Sequence, residues 1–547
     1  MSTTIEADVI VVGSGSAGAV VAGRIAAETD AQVLLIEAGG RDRNPLFRVP
    51  LMTGILLRGR YANWFYHTEP EPGLGGRRLF WPRGKVLGGS STINGMVWTR
   101  GLPSDYDSWA QRGLPGWGWD DVLARYRRIE GHHGGTTDLH GGDGPQKLSE
   151  FPDINPLSQA FLDAGAEAGY PRTDDFNGAA PEGMGRYDFT ISEGRRLSAA
   201  GAWLGPNRNR PNLRVLTNTQ ALRVLLEDGR AVGLELRQGT DQITARAKSE
   251  VVLSCGTVNT PQLLMLSGIG PADHLAEHGI SVHHDLPGVG QGVQDHLLVR
   301  VEHDCKQPVT LHNLLRADRA ALALGQALLF GTGPAARFPL EAGAFLRSDP
   351  ALDIPDLQAH FLPGRSTAAV RMPFRKATGP QGHGFFANIY QMRPESRGQI
   401  QLRSADPNDP PAITGGYLTS PRDIAVLRAG VRRLREIFAQ SSFDPWRGPE
   451  IRPGPDAQSD GDLDDWIRAN AESVYHPVGS CRMGTHELAV TDAELHVRGI
   501  QGLRIADASV MPSLTSCNTH APTTMIGMHA ADLVIAALTK TVQKGAA

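Results

Sequence analysis

The sequence predicts an α/β protein, α+β overall, with a parallel sheet assembled from separated stretches of chain. Three stretches carry that prediction. A β-branched run at residues 9–12 leads into a glycine-rich turn and an alanine-rich helical pattern that reaches about Ala27. A second strand-like run, residues 251–253, leads into another glycine turn and helix far along the chain. A third, ending at Asp507, precedes an apolar helical pattern over residues 523–538. Strands that alternate with helices in this way build parallel sheets.

The first stretch is the most specific. Residues 9–12 read as a strand buried on both faces. Gly13, Gly15 and Gly18 then form G-x-G-x-x-G. The first glycine makes the turn, the second admits a pyrophosphate to the helix N-terminus, and the third lets helix pack on strand. A second strand ends at Glu37, nineteen residues after Gly18, where an acid accepts from a ribose hydroxyl. In this strand–turn–helix context the motif marks a Rossmann-like site for the ADP half of a dinucleotide, without choosing between FAD and NAD.

The later elements follow in order. WPRGKVLGGSSTINGMVWTRG, residues 81–101, offers Gly84, Gly88 and Gly89 as flexible backbone whose N–H groups can face an anion or a ring, then Asn94, Gly95 and Met96. GTVNTPQLLMLSGIG, residues 256–270, places Pro261 in the predicted first turn of a helix and a glycine at its stop. Two histidines sit in constrained loops near the end. His476, in SVYHPVGSCRMG, is pushed towards extended backbone by Pro477. His520 stands two residues before Pro522.

Composition sets the bounds. At 547 residues the chain is long enough for two domains. A net charge of −4 excludes the strongly basic profile of a nucleic-acid binder. Cys255, Cys305, Cys481 and Cys517 form no C-x-x-C or zinc-finger spacing, which fits free thiols in a reducing compartment. The first strand pattern begins by Ala7 with no signal peptide before it, and no apolar run is predicted to span a bilayer. These features lead to a cytoplasmic expectation, with peripheral membrane attachment left open. His132–His133 and His283–His284 are adjacent pairs that rarely converge on one ion, so no metal is expected. RDIAVLRAGVRRLREIFAQ, residues 422–440, reads as a packed amphipathic helix. GHHGGTTDLHGGDGPQ, residues 131–146, reads as a border loop.

Taken together, GKVLGGSSTING, GTVNTPQLLMLSGIG, YHPVGSCRMG and RIADASVMP…NTHAPTTMIG resemble, in order, the signatures of the glucose–methanol–choline oxidoreductase family. DFNG at 175–178 and RPESRGQIQLRSADP at 393–407 also fit, so the resemblance covers nearly the whole length. Its general look is that of the bacterial choline- or alkanol-dehydrogenase types. The resemblance implies an FAD site. Gly13, Gly15, Ser16, Ala17 and Gly18 would approach the pyrophosphate, and Glu37 with Ala38 the adenosine. Gly88, Gly89, Asn94, Gly95, Met96 and Val97 would lie by the flavin. Leu222 stands where the family usually has a valine whose backbone meets adenine. Asp507 and Ala508 would contact the ribityl or pyrophosphate part, and Pro522 and Thr523 the ring. Some relatives attach FAD through a histidine where this chain has Ile93, so the flavin is expected to be noncovalent.

His476 matches the family's catalytic histidine, and His520 its partner, a position that is asparagine in choline-type enzymes. The implied reaction is oxidation of a primary alcohol to an aldehyde by His-assisted proton removal and hydride transfer to flavin N5. A dehydrogenase with a quinone-like acceptor leads. A peroxide-forming oxidase, a lyase or photodecarboxylase on the same scaffold, and a non-catalytic flavoprotein are the alternatives. The implied FAD domain comprises residues 1–150, 200–300 and 465–547. A substrate domain with an antiparallel sheet and helices comprises 151–199 and 301–464, in which Phe361, Phe374, Phe385 and Phe386 could line a cavity or form core. Monomer and homodimer are both compatible.

Overall fold

The computed structural model describes residues 3–373 and 382–545. Two seven-stranded sheets organise the chain. In the first, the strand Thr3–Val12 runs parallel to Val33–Ile36 on one side and Asp241–Leu253 on the other. Leu213–Leu216 extends the parallel layer past Val33–Ile36, and Leu503–Ile505 pairs with the end of Asp241–Leu253. Val9, Ile10 and Val11 are fully buried, as a strand covered on both faces requires. Asp241–Leu253 serves two neighbourhoods. Thr3–Val12 runs along one side of it throughout; on the other side its first half closes an antiparallel meander with Arg230–Gln238 and Thr219–Glu227, and its end takes Leu503–Ile505 in parallel.

The helix Gly18–Glu28 packs against the last helix, His520–Gly545. A Cβ at Gly527 would stand 2.6 Å from the Ala17 carbonyl oxygen, so glycine is required for this approach. Buried Arg24 joins the helices through Asp532 at 2.6 Å and the Met528 carbonyl at 3.0 Å. Residues His520–Lys540 are long and apolar enough by length and composition to cross a membrane, which the sequence reading did not foresee. Most of that stretch is buried, and a core helix satisfies the same criterion. The helix also begins earlier than predicted, with His520 as its first residue rather than part of a loop.

The second sheet is antiparallel, in the order 447–452, 297–305, 384–391, 357–362, 342–346, 183–186. The helix Pro421–Phe438 lays Leu427, Val431 and Leu434 on its core, as the amphipathic pattern predicts. Phe361 and Phe385 are core residues, stacked on Phe161 at 4.8 Å and on Phe443 at 5.1 Å. Phe386 lies under the Arg300 guanidinium, and Phe374 lies outside the described residues. Leu297–Cys305 crosses the residue-300 border drawn from sequence, and it also pairs with Glu472–Ser473.

Pro261 is not in a first turn. It is the sixth residue of the helix Gly256–Leu266 and cannot donate to the Thr257 carbonyl. Ser480 Oγ donates to that carbonyl instead, at 2.6 Å, and Thr257 Oγ1 donates to the Pro477 carbonyl at 2.7 Å. The helix is thereby tied to the segment that carries His476.

Candidate active site

The carboxyl ends of the parallel strands deliver Gly13, Glu37, Ser254 and Asp507 to one cavity of about 400 Å³, where ligands of open α/β sheets bind. The second sheet contributes Leu298, Arg300, His360 and Asn388 to the same cavity. Of the residues predicted from sequence, Gly13, Gly15, Ser16, Ala17, Glu37 and Ala38 line its nucleotide end. Gly89, Asn94, Gly95, Met96, Val97, Asp507, Ala508, Thr523, His476 and His520 line it as well.

Four predicted residues are not in the lining. Gly18 packs helix on strand: a Cβ there would meet the Gly13 carbonyl oxygen at 1.9 Å. Gly88 packs against Thr92 and Ala200 and gives the lining to Gly89. Thr219, Gln220 and Ala221 line the cavity where Leu222 was expected, because the ladder of this strand shifts between Ala221 and Arg223. Pro522 leaves the lining to Thr523.

The nucleotide end suits an anionic dinucleotide. Gly13 has φ +96°, in the left-handed region. A Cβ on Gly15 would meet nothing within 4 Å, so this turn leaves open space beside the helix Gly18–Glu28. That helix has no capping side chain and no acid in its first turn, so no side chain there competes with or repels a phosphate at its N-terminus. Glu37 is buried and accepts from Ser14 Oγ at 2.6 Å and from Gly39 N–H at 2.8 Å; burial raises its pKa, and these hydrogen bonds oppose the rise. Ser254 Oγ and His520 Nε2 line the cavity buried and, among the described residues, without a partner, as side chains awaiting a ligand would.

His476 lines the same cavity. Its Nδ1 is 3.0 Å from His296 Nδ1, and its Nε2 is 3.3 Å from Asn518 Nδ2. Its backbone N–H donates to Asp295 Oδ1 at 2.7 Å. Burial, then the neighbouring His296, His360 and Arg83, hold its pKa well below the usual imidazole range, so the ring is neutral. His520 lies elsewhere in the lining, with Nδ1 2.8 Å from Ser16 Oγ and its ring edge-on to Trp98. The group in polar contact with His476 Nε2 is therefore Asn518, two residues before His520.

Asp295, His296, Asn518 and Arg196 were missed in sequence. Arg196 is buried and donates to the Asn94 carbonyl at 2.6 Å and to Thr53 Oγ1 at 2.6 Å, pinning the loop of Asn94. The stretch QDH at 294–296 was the available signal, an acid and a histidine next to each other ahead of a strand.

Away from the cavity, the adjacent His132 and His133 do converge, both on Asp188, with ligand-type atoms within 4.8 Å of one another. Gly134 N–H donates to His132 Nδ1 at 3.1 Å, which puts the ring proton on Nε2, facing Asp188 Oδ2 at 3.4 Å. That is a hydrogen bond, not a lone pair offered to a metal. The four cysteines are free, and Cys481 is fully buried, consistent with packing.

Comparison with known proteins is decisive for family. Models described as GMC oxidoreductase match residues 7–298 and 394–527. The chain belongs to the GMC oxidoreductase family. It is 44% identical over 533 residues to a protein named oxygen-dependent choline dehydrogenase from Brucella anthropi, covering 97% of this chain and 96% of that one. A protein of the same name from Pseudomonas syringae pv. syringae is 44% identical over 541 residues, covering 98% and 94%. Among solved structures, pyridoxine 4-oxidase from Mesorbium loti superposes with a TM-score of 0.86 at 32% identity, covering 96% of this chain and 98% of that one. An Aspergillus oryzae formate oxidase variant gives 0.91 at 26%, covering 99% and 100%. This GMC oxidoreductase is an FAD-dependent enzyme of alcohol oxidation, and the glycine cradle, uncapped helix and buried Glu37 fit the nucleotide part of that cofactor.

Proposed function

We propose that this enzyme is a dehydrogenase that oxidises an uncharged primary alcohol to its aldehyde, with His476 as the base, FAD held noncovalently, and an acceptor other than oxygen. The observation that carries the reading is a neutral, partly buried imidazole in the lining whose Nε2, among the described residues, meets the Asn518 amide. An alcohol gives up hydride readily once its oxygen has lost the proton, and general-base help of this kind contributes about 10²–10⁴-fold. The flavin, when bound, takes the hydride. Asn518 Nδ2 would donate to the developing alkoxide. His520 Nδ1 is 2.8 Å from Ser16 Oγ, and its Nε2 offers the cavity a second polar group. Ile93 lines the cavity and offers no nucleophile for a covalent flavin link.

The substrate end supports an uncharged alcohol. Among the described residues, the carboxylates lining the cavity are Glu37 and Asp507. Asp507 is occupied by Gly256 N–H at 2.9 Å and Thr260 Oγ1 at 2.6 Å. Leu298, Phe338 and Leu340 line the cavity together with Arg300, which is held by Asn388 at 2.8 Å and Glu472 at 2.6 Å. A trimethylammonium group would find a cation there and no free carboxylate. The named activity of the choline relatives is therefore not carried over whole. Buried free thiols are consistent with a cytoplasmic setting.

The test is anaerobic mixing with aliphatic, aromatic and amino alcohols, including choline and its all-carbon isostere. Bleaching of the flavin by neutral alcohols, with the isostere ahead of choline, is expected. Faster reduction by choline would overturn the uncharged-substrate reading, and rapid recolouring in air would make the enzyme an oxidase. His476→Ala should keep its FAD and slow reduction about 10²–10⁴-fold.

A further inference from the structure

We propose that His296 is a positioning residue that fixes the tautomer of His476, so that the lone pair of the base always stands on Nε2. The inference rests on His476 being the base. The chain of reasoning starts at a group that can only accept. The Met392 carbonyl is 2.8 Å from His296 Nε2, so that nitrogen carries a proton. His296 is fully buried, and burial outweighs the Met392 hydrogen bond to bring its pKa down to about 4; the ring is neutral. Its Nδ1 is then a lone pair. That lone pair faces His476 Nδ1 at 3.0 Å, with the rings edge to face at 83°. Two lone pairs cannot bond, so His476 holds its proton on Nδ1 and its basic site is Nε2.

The far side agrees. Asn518 Oδ1 accepts from Thr99 Oγ1 and from Gln358 Nε2, each at 3.1 Å, which turns the amide Nδ2–H towards His476 Nε2. The residue beside His296 acts on the main chain: Asp295 Oδ1 accepts the His476 backbone N–H at 2.7 Å. Two consecutive residues thus hold backbone and ring of one histidine. An imidazole without this restraint would populate both tautomers, and the wrong one presents an N–H to the substrate hydroxyl and cannot accept its proton.

Three variants of the FAD-loaded enzyme test this by anaerobic reduction against pH. The titratable and charged groups around His476 are His296, Asp295, His360, Tyr390 and Arg83. His296→Phe keeps the volume and removes the acceptor. Reduction should slow by about 10²-fold, the order lost when a catalytic group is misplaced, with alcohol affinity and FAD absorbance unchanged. Slower reduction at unchanged alcohol affinity, restored by a side chain that accepts at the same place, is the pattern that loosened packing would not produce. His296→Gln can accept from His476 and donate to Met392, and should stay within about fivefold of the parent. Wild-type rates in the Phe variant, or equal slowing in Phe and Gln variants with FAD bound, would overturn the proposal. If the Phe variant does not hold FAD, the Gln variant decides by the same criterion. His476→Ala reducing as fast as the parent would instead sink the base assignment beneath it.

Discussion

At His476 the chain accepts backbone strain to place one imidazole. Tyr475, just before it, has φ +69°, a conformation that costs a bulky residue on the order of 1–2 kcal/mol. Arg83 Nη2, donating to the Tyr475 carbonyl at 2.6 Å, and Ser473 Oγ, accepting its N–H at 2.8 Å, hold it there. The motif around His476 was legible because proline and glycine constrain neighbouring residues locally. Its ring partner was not, since His296 lies 180 residues away and nothing local announces the contact. The phosphate turn gives a residue-scale prediction. A Cβ at Gly15 meets only open space, so Gly15→Val should fold and fill the cradle. The purified variant should lose flavin absorbance relative to protein while far-ultraviolet circular dichroism is unchanged; full FAD occupancy would place the pyrophosphate elsewhere.

Among the elements, the helix Gly256–Leu266 shows why sequence placed its proline wrongly. A proline in a helix is most economical at the start, where its missing N–H is not needed. Here the carbonyl it leaves unpaired is used by tertiary structure, through Ser480. Ser480→Ala should cost about 1–3 kcal/mol, the penalty for a buried unpaired carbonyl, read by denaturant unfolding of the holoenzyme. Adding Pro261→Ala to that variant supplies an N–H to the Thr257 carbonyl and should recover part of the loss. Strict additivity of the two changes would show that the carbonyl is not the shared partner.

Across the molecule, a charged network fastens the loop at 131–146 to its surroundings. His140 lies between Glu130 at 3.0 Å and Asp175 at 2.8 Å, and Arg100 pairs with the same Glu130. Burial lowers the His140 pKa, but the hydrogen bonds to Asp175 and Glu130 outweigh it and push it up to about 9. The folded protein therefore binds this proton more tightly than the unfolded chain, whose histidine titrates near 6.5. The stabilisation is complete below the unfolded value and is lost as pH rises through about 9. Thermal melts of the holoenzyme should fall between neutral pH and that value, and His140→Asn should be less stable at neutral pH with a flatter alkaline decline. An unchanged slope in the variant would assign the alkaline loss to other groups.

The sequence by itself determined the βαβ unit, the dinucleotide turn, the flavin-type signatures and His476, because each depends on residues close in the chain, where glycine, proline and apolar periodicity dictate local geometry. Tertiary structure alone decided what surrounds His476. It brought QDH at 294–296 beside His476, put Asn518 rather than His520 against its Nε2, moved Phe361 and Phe385 into the core, and gathered His132 and His133 onto Asp188. Those contacts join segments far apart in sequence, and their distances follow from how two sheets pack, which local patterning does not specify.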